Sequence, residues 1–184
     1  MRIIGGEMGG RRITPPPKMP HTRPTTDIAK EGLFNILQNN LDLSALKTCD
    51  LFGGTGSISY ELYSRGVMDG TVVEKDPVMY EFIKKTAAAL KLENFKTIKM
   101  DVFKYIAQCA ETYDLIFAGP PYAMSSIDDL PVKIKEKGLL KVNGWFVLEH
   151  TPRNNYEQFP LFATSRNYGS TIFSIFVNKP SGQS

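Results

Sequence analysis

A chain of 184 residues, 42% of them hydrophobic, can bury the core of one domain, and no run approaches the roughly 18 apolar residues of a membrane span. Two cysteines (Cys49, Cys109) and two histidines (His21, His150) are too few and too scattered for a disulfide framework or a zinc site, so no metal is expected. No apolar secretory segment opens the sequence, which makes a cytoplasmic protein the expectation. The net charge of +3 is unevenly spread: residues 1–30 hold six basic and two acidic side chains, the remainder 16 basic and 17 acidic. All the excess positive charge therefore lies in the first sixth of the chain, which suits either a contact with a polyanion or a solvated basic arm.

Residues 1–25 have two short β-like runs around glycine-rich turns, then five prolines between Pro15 and Pro24. They predict a hairpin and an extended connector rather than a domain. Thr26 can cap a helix that begins at Asp27, along which Ile28, Leu33, Ile36 and Leu37 recur at helical spacing. From residue 48 strand and helix patterns alternate. "TCDLF" leads to "SISYELYSR", "TVVE" to "PVMYEFIKKTAAALK", "FKTIKM" to "VFKYIAQCA", and "YDLIFA" through "GPPY" to "IDDLPVKIKEK". "GWFVLEH" follows, then two β-like runs near residues 161–165 and 171–177 with no helix between them. Such alternation implies an α/β fold with a mainly parallel sheet, helices on both faces, and an antiparallel hairpin at one edge. Residues 26–178 form the expected catalytic domain and 179–184 a tail.

In such sheets ligands bind beyond the carboxyl ends of the strands. "DLFGGTGS" ends the first strand in Asp50 and three glycines, Gly53, Gly54 and Gly56, that lead into a helix N-terminus. It is either a tight turn or a ligand loop. No Lys-Ser or Lys-Thr follows the glycines, which excludes a P-loop, and Ser59 stands where a dinucleotide fingerprint needs glycine. Glu74 closes the second strand, where a carboxylate can accept both ribose hydroxyls of a nucleoside. S-adenosylmethionine (SAM) fits this chemistry: its carboxylate suits the helix N-terminus and its ammonium can meet Asp50. Asp101 falls near the expected adenine, although as a single residue it suits a helix cap. The expected cofactor-binding set is Asp50, Phe52, Gly53, Gly54, Gly56, Glu74, Lys75, Asp101 and Val102; Phe52, like Phe34, also suits the core.

The fourth strand ends in Gly119, Pro120, Pro121 and Tyr122, the expected catalytic corner. Here the chain resembles the amino-methylating SAM-dependent methyltransferases, whose fourth strand ends in (Asp/Asn)-Pro-Pro-(Tyr/Phe). More narrowly it resembles the RsmD group, on "RIIGGEMGGRRI", "TRPTTDIAKEGLFNIL", "DLFGGTGS" and "VVEKD", in the family's order and spacing. The resemblance implies a class I (Rossmann-like) methyltransferase fold and methylation of a guanine N2 amine in 16S ribosomal RNA. The substrate would be a small subunit or its assembly intermediate, and the enzyme a monomer. In the family's mechanism the Asp/Asn side chain and a proline carbonyl accept hydrogen bonds from the amine, and the aromatic stacks on the base.

This chain departs from the motif at one position: Gly119 has no side-chain acceptor. A lost charged hydrogen bond corresponds to about a 10- to 150-fold change in rate. A water, or a carboxylate such as Asp128 or Asp129 reaching back, would be the expected substitute. A SAM- and RNA-binding assembly factor without catalysis is the alternative that Gly119 keeps open, and DNA adenine or protein glutamine are alternative substrates. The resemblance makes the N-terminal segment a substrate grip, with Arg11, Arg12, Arg23 and Thr25 the expected contacts; Arg23 equally suits an ion pair that holds the connector. "YGST", from Tyr168, resembles a family loop near the active site.

Overall fold

The computed structural model describes residues 1–18 and 24–181. Arg23, expected to touch substrate, and the last residues of the tail lie outside the described residues. The first helix, α1, spans Asp27–Asn40, and β1 (Lys47–Asp50), α2 (Ser57–Ser64), β2 (Asp69–Val73), α3 (Pro77–Ala89) and β3 (Phe95–Ile98) follow. The chain continues through α4 (Val102–Gln108), β4 (Tyr113–Ala118), α5 (Asp129–Glu136), β5 (Leu140–His150), β6 (Phe162–Tyr168) and β7 (Thr171–Val177). One seven-stranded sheet has the order β3-β2-β1-β4-β5-β7-β6. Strands β1 to β5 pair in parallel, β7 is antiparallel to β5, and β6 lies outermost against β7, so the expected edge hairpin is present.

The elements start where local chemistry requires. The Thr26 hydroxyl accepts from the Ala29 amide, the Asp76 carboxylate from Met79 ahead of Pro77, and Asp101 from Phe103 and Lys104. Alternate residues of β4 serve opposite faces. Ile116 and Ala118 pack with α4 and α5, whereas Leu115 and Phe117 pack with α1 and α2. Helices therefore cover both sides of the sheet.

Periodicity misassigns one face of α1. Ile28 is 77% exposed, and the buried stripe is Ala29, Lys30, Leu33, Phe34 and Leu37. Lys30 turns inward because its ammonium meets Glu61, at 3.2 Å, inside the protein. Glu61 is fully buried, and its second oxygen lies 2.8 Å from Nε of Arg65. The Glu61 carboxylate also accepts the amides of Ile4 and Gly5, both at 2.9 Å. The N-terminal hairpin, with an antiparallel bridge between Arg2 and Arg12, is thereby fixed to α2. Its Ile3 and Ile13 join Tyr60 in a small apolar cluster, and Ser64 receives Met8 N–H and donates to Gly5 C=O.

Burial alone would push the Glu61 carboxyl up, but the two amides, Arg65 and Lys30 outweigh it and hold it below its usual 4.5. Its contribution to stability is then complete at neutral pH and is lost as the pH falls through the lowered value. Glu61→Gln should lose about 3 kcal/mol at pH 7, since it leaves buried cations without their counter-charge. Thermal unfolding should show a drop of about 6–12 °C at pH 7 that shrinks on acidification below pH 4. A constant gap down to pH 3 would contradict this account.

Candidate active site

At the carboxyl ends of β1, β2 and β4 lies a cavity of about 670 Å³. The β1–α2 and β4–α5 turns form much of its wall, at the point where the strand order reverses between β1 and β4. Asp50, Phe52, Gly53, Gly54, Glu74, Lys75, Asp101 and Val102 all line it, as do Gly119, Pro120, Pro121, Tyr122 and Thr25. Gly56 lies behind the wall. It is the N-cap of α2 at φ +83°, and a Cβ there would come within 2.3 Å of the Tyr60 ring, so this glycine serves backbone shape and packing. Gly53 likewise makes room for neighbours: a Cβ would meet Val72 at 2.6 Å and Ile83 at 2.8 Å. Arg11 and Arg12 are exposed on the hairpin and are not part of the cavity lining.

The polar groups are arranged for a ligand with both positive charge and hydroxyls. Asp50 is 2% exposed; its Oδ2 accepts from the Ser59 hydroxyl at 3.0 Å, while Oδ1 has no hydrogen-bond partner among the described residues. Burial pushes its carboxyl up to about 7, and the Ser59 hydroxyl and, more weakly, the Phe52 amide oppose that rise. The negative charges of Glu74 and Glu149 push in the same direction as burial. A cation beside Oδ1 would satisfy it. Glu74 is oriented by two backbone amides, Gly54 N–H on Oε1 at 2.9 Å and Asp76 N–H on Oε2 at 2.8 Å. Helix α2 begins without a side-chain cap, and Ser57 and Ile58 of its first turn line the cavity. Orphan Oδ1, the uncapped helix start and the fixed Glu74 carboxylate fit the ammonium, carboxylate and ribose of an aminoacyl nucleoside such as SAM.

The strand-end carboxylate that sequence reasoning missed is Glu149, the penultimate residue of β5. It is 3% exposed, lines the cavity, and accepts from Thr25 Oγ1 at 2.5 Å and from the Tyr122 hydroxyl at 2.7 Å. Its position after the apolar run "GWFVL" is the same signal that singled out Glu74. Asp128 is committed elsewhere: its Oδ1 accepts from Tyr156 at 2.8 Å and Asn154 at 3.3 Å. Neither Asp128 nor Asp129 lines the cavity. Tyr168 packs on Phe173, and Gly32 of α1 leaves space for its ring, while Thr171 lies 3.4 Å from the Tyr122 hydroxyl. Among the described residues no His, Cys, Asp and Glu cluster could hold a metal, and no helix is long and apolar enough to cross a membrane.

Comparison with known proteins decides the family. The family model described as conserved hypothetical protein 95 matches residues 1–177. The Escherichia coli K12 protein named ribosomal RNA small subunit methyltransferase D is 32% identical over 188 residues, covering 100% of this chain and 93% of that one. The chain belongs to this RsmD family. The Haemophilus influenzae protein of the same name is 29% identical over 81% of the chain and 78% of its own length. Among solved structures, the Escherichia coli protein yhhF superposes with a TM-score of 0.85 at 24% identity, covering 97% of this chain and 98% of that one. An RNA methyltransferase from Salinibacter ruber in complex with S-adenosyl-L-homocysteine gives 0.67 at 14% identity, over 85% and 94% of the two chains. The fold is that of the SAM-dependent methyltransferases, as the strand and helix pattern implies.

The geometry at the glycine turn makes a direct prediction. Gly56→Ala combines a left-handed φ with a collision against a buried ring, at a cost of about 2 kcal/mol. The melting temperature should fall by about 4–8 °C. An unchanged melting temperature would mean that Tyr60 yields freely.

Proposed function

We propose that the protein transfers a methyl group from SAM to the N2 amine of a guanine in 16S ribosomal RNA, on the small subunit or an assembly intermediate. The observation that carries this reading is the meeting of the Gly-Pro-Pro-Tyr corner with Asp50 and Glu74 in one cavity, in a chain whose relatives are named small-subunit ribosomal RNA methyltransferases. Those relatives also argue against DNA adenine and protein glutamine as substrates.

When bound, SAM supplies a methyl group activated by a sulfonium. The chain's own residues supply position and field. Asp50 and the α2 N-terminus hold the amino-acid end, Glu74 the ribose, and Asp101 and Val102 the side of the base. Pro120 and Pro121 fix the corner's backbone in the cavity wall, so that the Pro120 carbonyl can serve as an acceptor for the amine without being ordered at the moment of reaction. The Tyr122 ring offers a stacking face for an extruded guanine. Arg11 and Arg12, outside the cavity, suit phosphate contacts that orient the RNA rather than contacts with the reacting base.

The direct test is incubation with methyl-labelled SAM and small subunits that lack the modification. The expected product is N2-methylguanosine, identified by mass spectrometry of the digested RNA. Absence of methyl transfer with SAM bound would sink the reading, and methyl on another atom or macromolecule would redirect it. A second prediction concerns pH. Because Asp50 titrates near 7, a cationic ligand must displace a proton from it at lower pH, while the ligand's own α-amino group stays protonated. SAM affinity measured by calorimetry should therefore weaken by about tenfold between pH 7 and pH 5.5. Asp50→Asn should bind weakly and without that slope.

A further inference from the structure

The missing acceptor at Gly119 has a neighbour in the adjacent strand. Strands β4 and β5 run parallel with Ala118 paired to Leu148, which brings Gly119 beside Glu149. A Cβ built on Gly119 would lie 3.7 Å from Oε1 of Glu149. The carboxylate thus borders the volume that a side chain at position 119 would begin to fill. It is buried, it lines the same cavity as Pro120 and Tyr122, and it is oriented by hydroxyl donors on both oxygens, from Thr25 and Tyr122.

We infer that Glu149 is a catalytic residue, the charged hydrogen-bond acceptor for the substrate amine, replacing from β5 the side chain that Gly119 lacks on β4. The inference rests on the methyl-transfer reading of the cavity. An amine N–H directed at Glu149 and a second at the Pro120 carbonyl leave the nitrogen lone pair pointing away from both acceptors. In the transfer the lone pair forms the N–C bond as the C–S bond breaks, and its electron pair stays on sulfur to give the neutral thioether. The methylated nitrogen then carries the positive charge and releases one proton to Glu149, which returns it to water. A carboxylate suits this better than a carbonyl, because a charged acceptor strengthens as positive charge develops on the nitrogen.

The test compares wild type, Glu149→Ala, Glu149→Gln and the double variant Gly119→Asp/Glu149→Ala on unmodified small subunits, with kcat and KM separated and SAM affinity measured independently. Glu149→Ala should lower kcat by about 10- to 150-fold. The KM for subunits should stay within about threefold, and kcat is read at saturating SAM, so that a change in cofactor affinity from removing one of the three cavity carboxylates does not enter it. Asp at position 119, which needs only a small shift of the Phe117 ring from 3.2 Å, should recover at least about tenfold in the double variant. Glu149→Gln keeps the shape and a neutral acceptor, so it should lose several-fold in kcat, and it carries the test if the Ala variant does not fold. Wild-type kcat in either folded variant would overturn the inference. So would a double variant as slow as Glu149→Ala, since Glu149 would then act only by holding Tyr122 and Thr25. Failure of the wild type itself to methylate subunits is a different result, one that removes the proposed function and this inference with it.

Discussion

The buried Glu61 carboxylate joins three parts of the chain that would otherwise have little reason to meet. Lys30 comes from α1, Arg65 follows α2, and the amides of Ile4 and Gly5 come from the hairpin. Lys30 extends the junction, donating to the Arg2 carbonyl at 2.8 Å and to the Ser57 hydroxyl at 3.1 Å. Ser57 begins α2 and lines the cavity, so the charge cluster and the ligand loop belong to one hydrogen-bonded structure. Removing charges from water is expensive, and such a cluster is tolerable only because almost every polar atom in it is answered. The result is that the first 13 residues are a packed extension of the domain, although their charge suggests a loose basic arm.

The cavity collects negative charge of a particular kind. Asp50, Glu74 and Glu149 stand at or just beyond the carboxyl ends of β1, β2 and β5, and the last two disfavour ionisation of the first. A neutral or anionic occupant would find these groups in mutual opposition. A ligand that brings an ammonium and a sulfonium relieves the opposition, so the site is electrically prepared for the reactant and less so for the thioether left after transfer.

Much of this was legible in the sequence. The strand pattern, the proline corner and the strand-end acids Asp50 and Glu74 are local signals, and each lies where its neighbours in sequence imply. What was hidden depends on packing between distant segments. Ile28 has the right spacing for a core residue, yet Lys30 takes the inward position because Glu61 waits 31 positions further along the chain. Gly56 is legible as a glycine that the turn needs, but the buried Tyr60 ring that a Cβ would strike there is not. The nearness of Glu149 to Gly119 needs both the strand order and the register of β4 on β5, neither of which is written in either strand alone.

The hydrogen bond from Thr25 to Glu149 spans 124 positions. It has a consequence for the order in which the molecule can be assembled. One wall of the cavity comes from Pro24 and Thr25, and the group that ties that wall down is made only 124 residues later. A nascent chain can fold its early β-α-β units as they emerge, but the pocket stays open on the Thr25 side until β5 joins the sheet. Cofactor binding therefore rewards the finished fold and not its precursors, drawing the late strands into place by mass action rather than stabilising an incomplete enzyme.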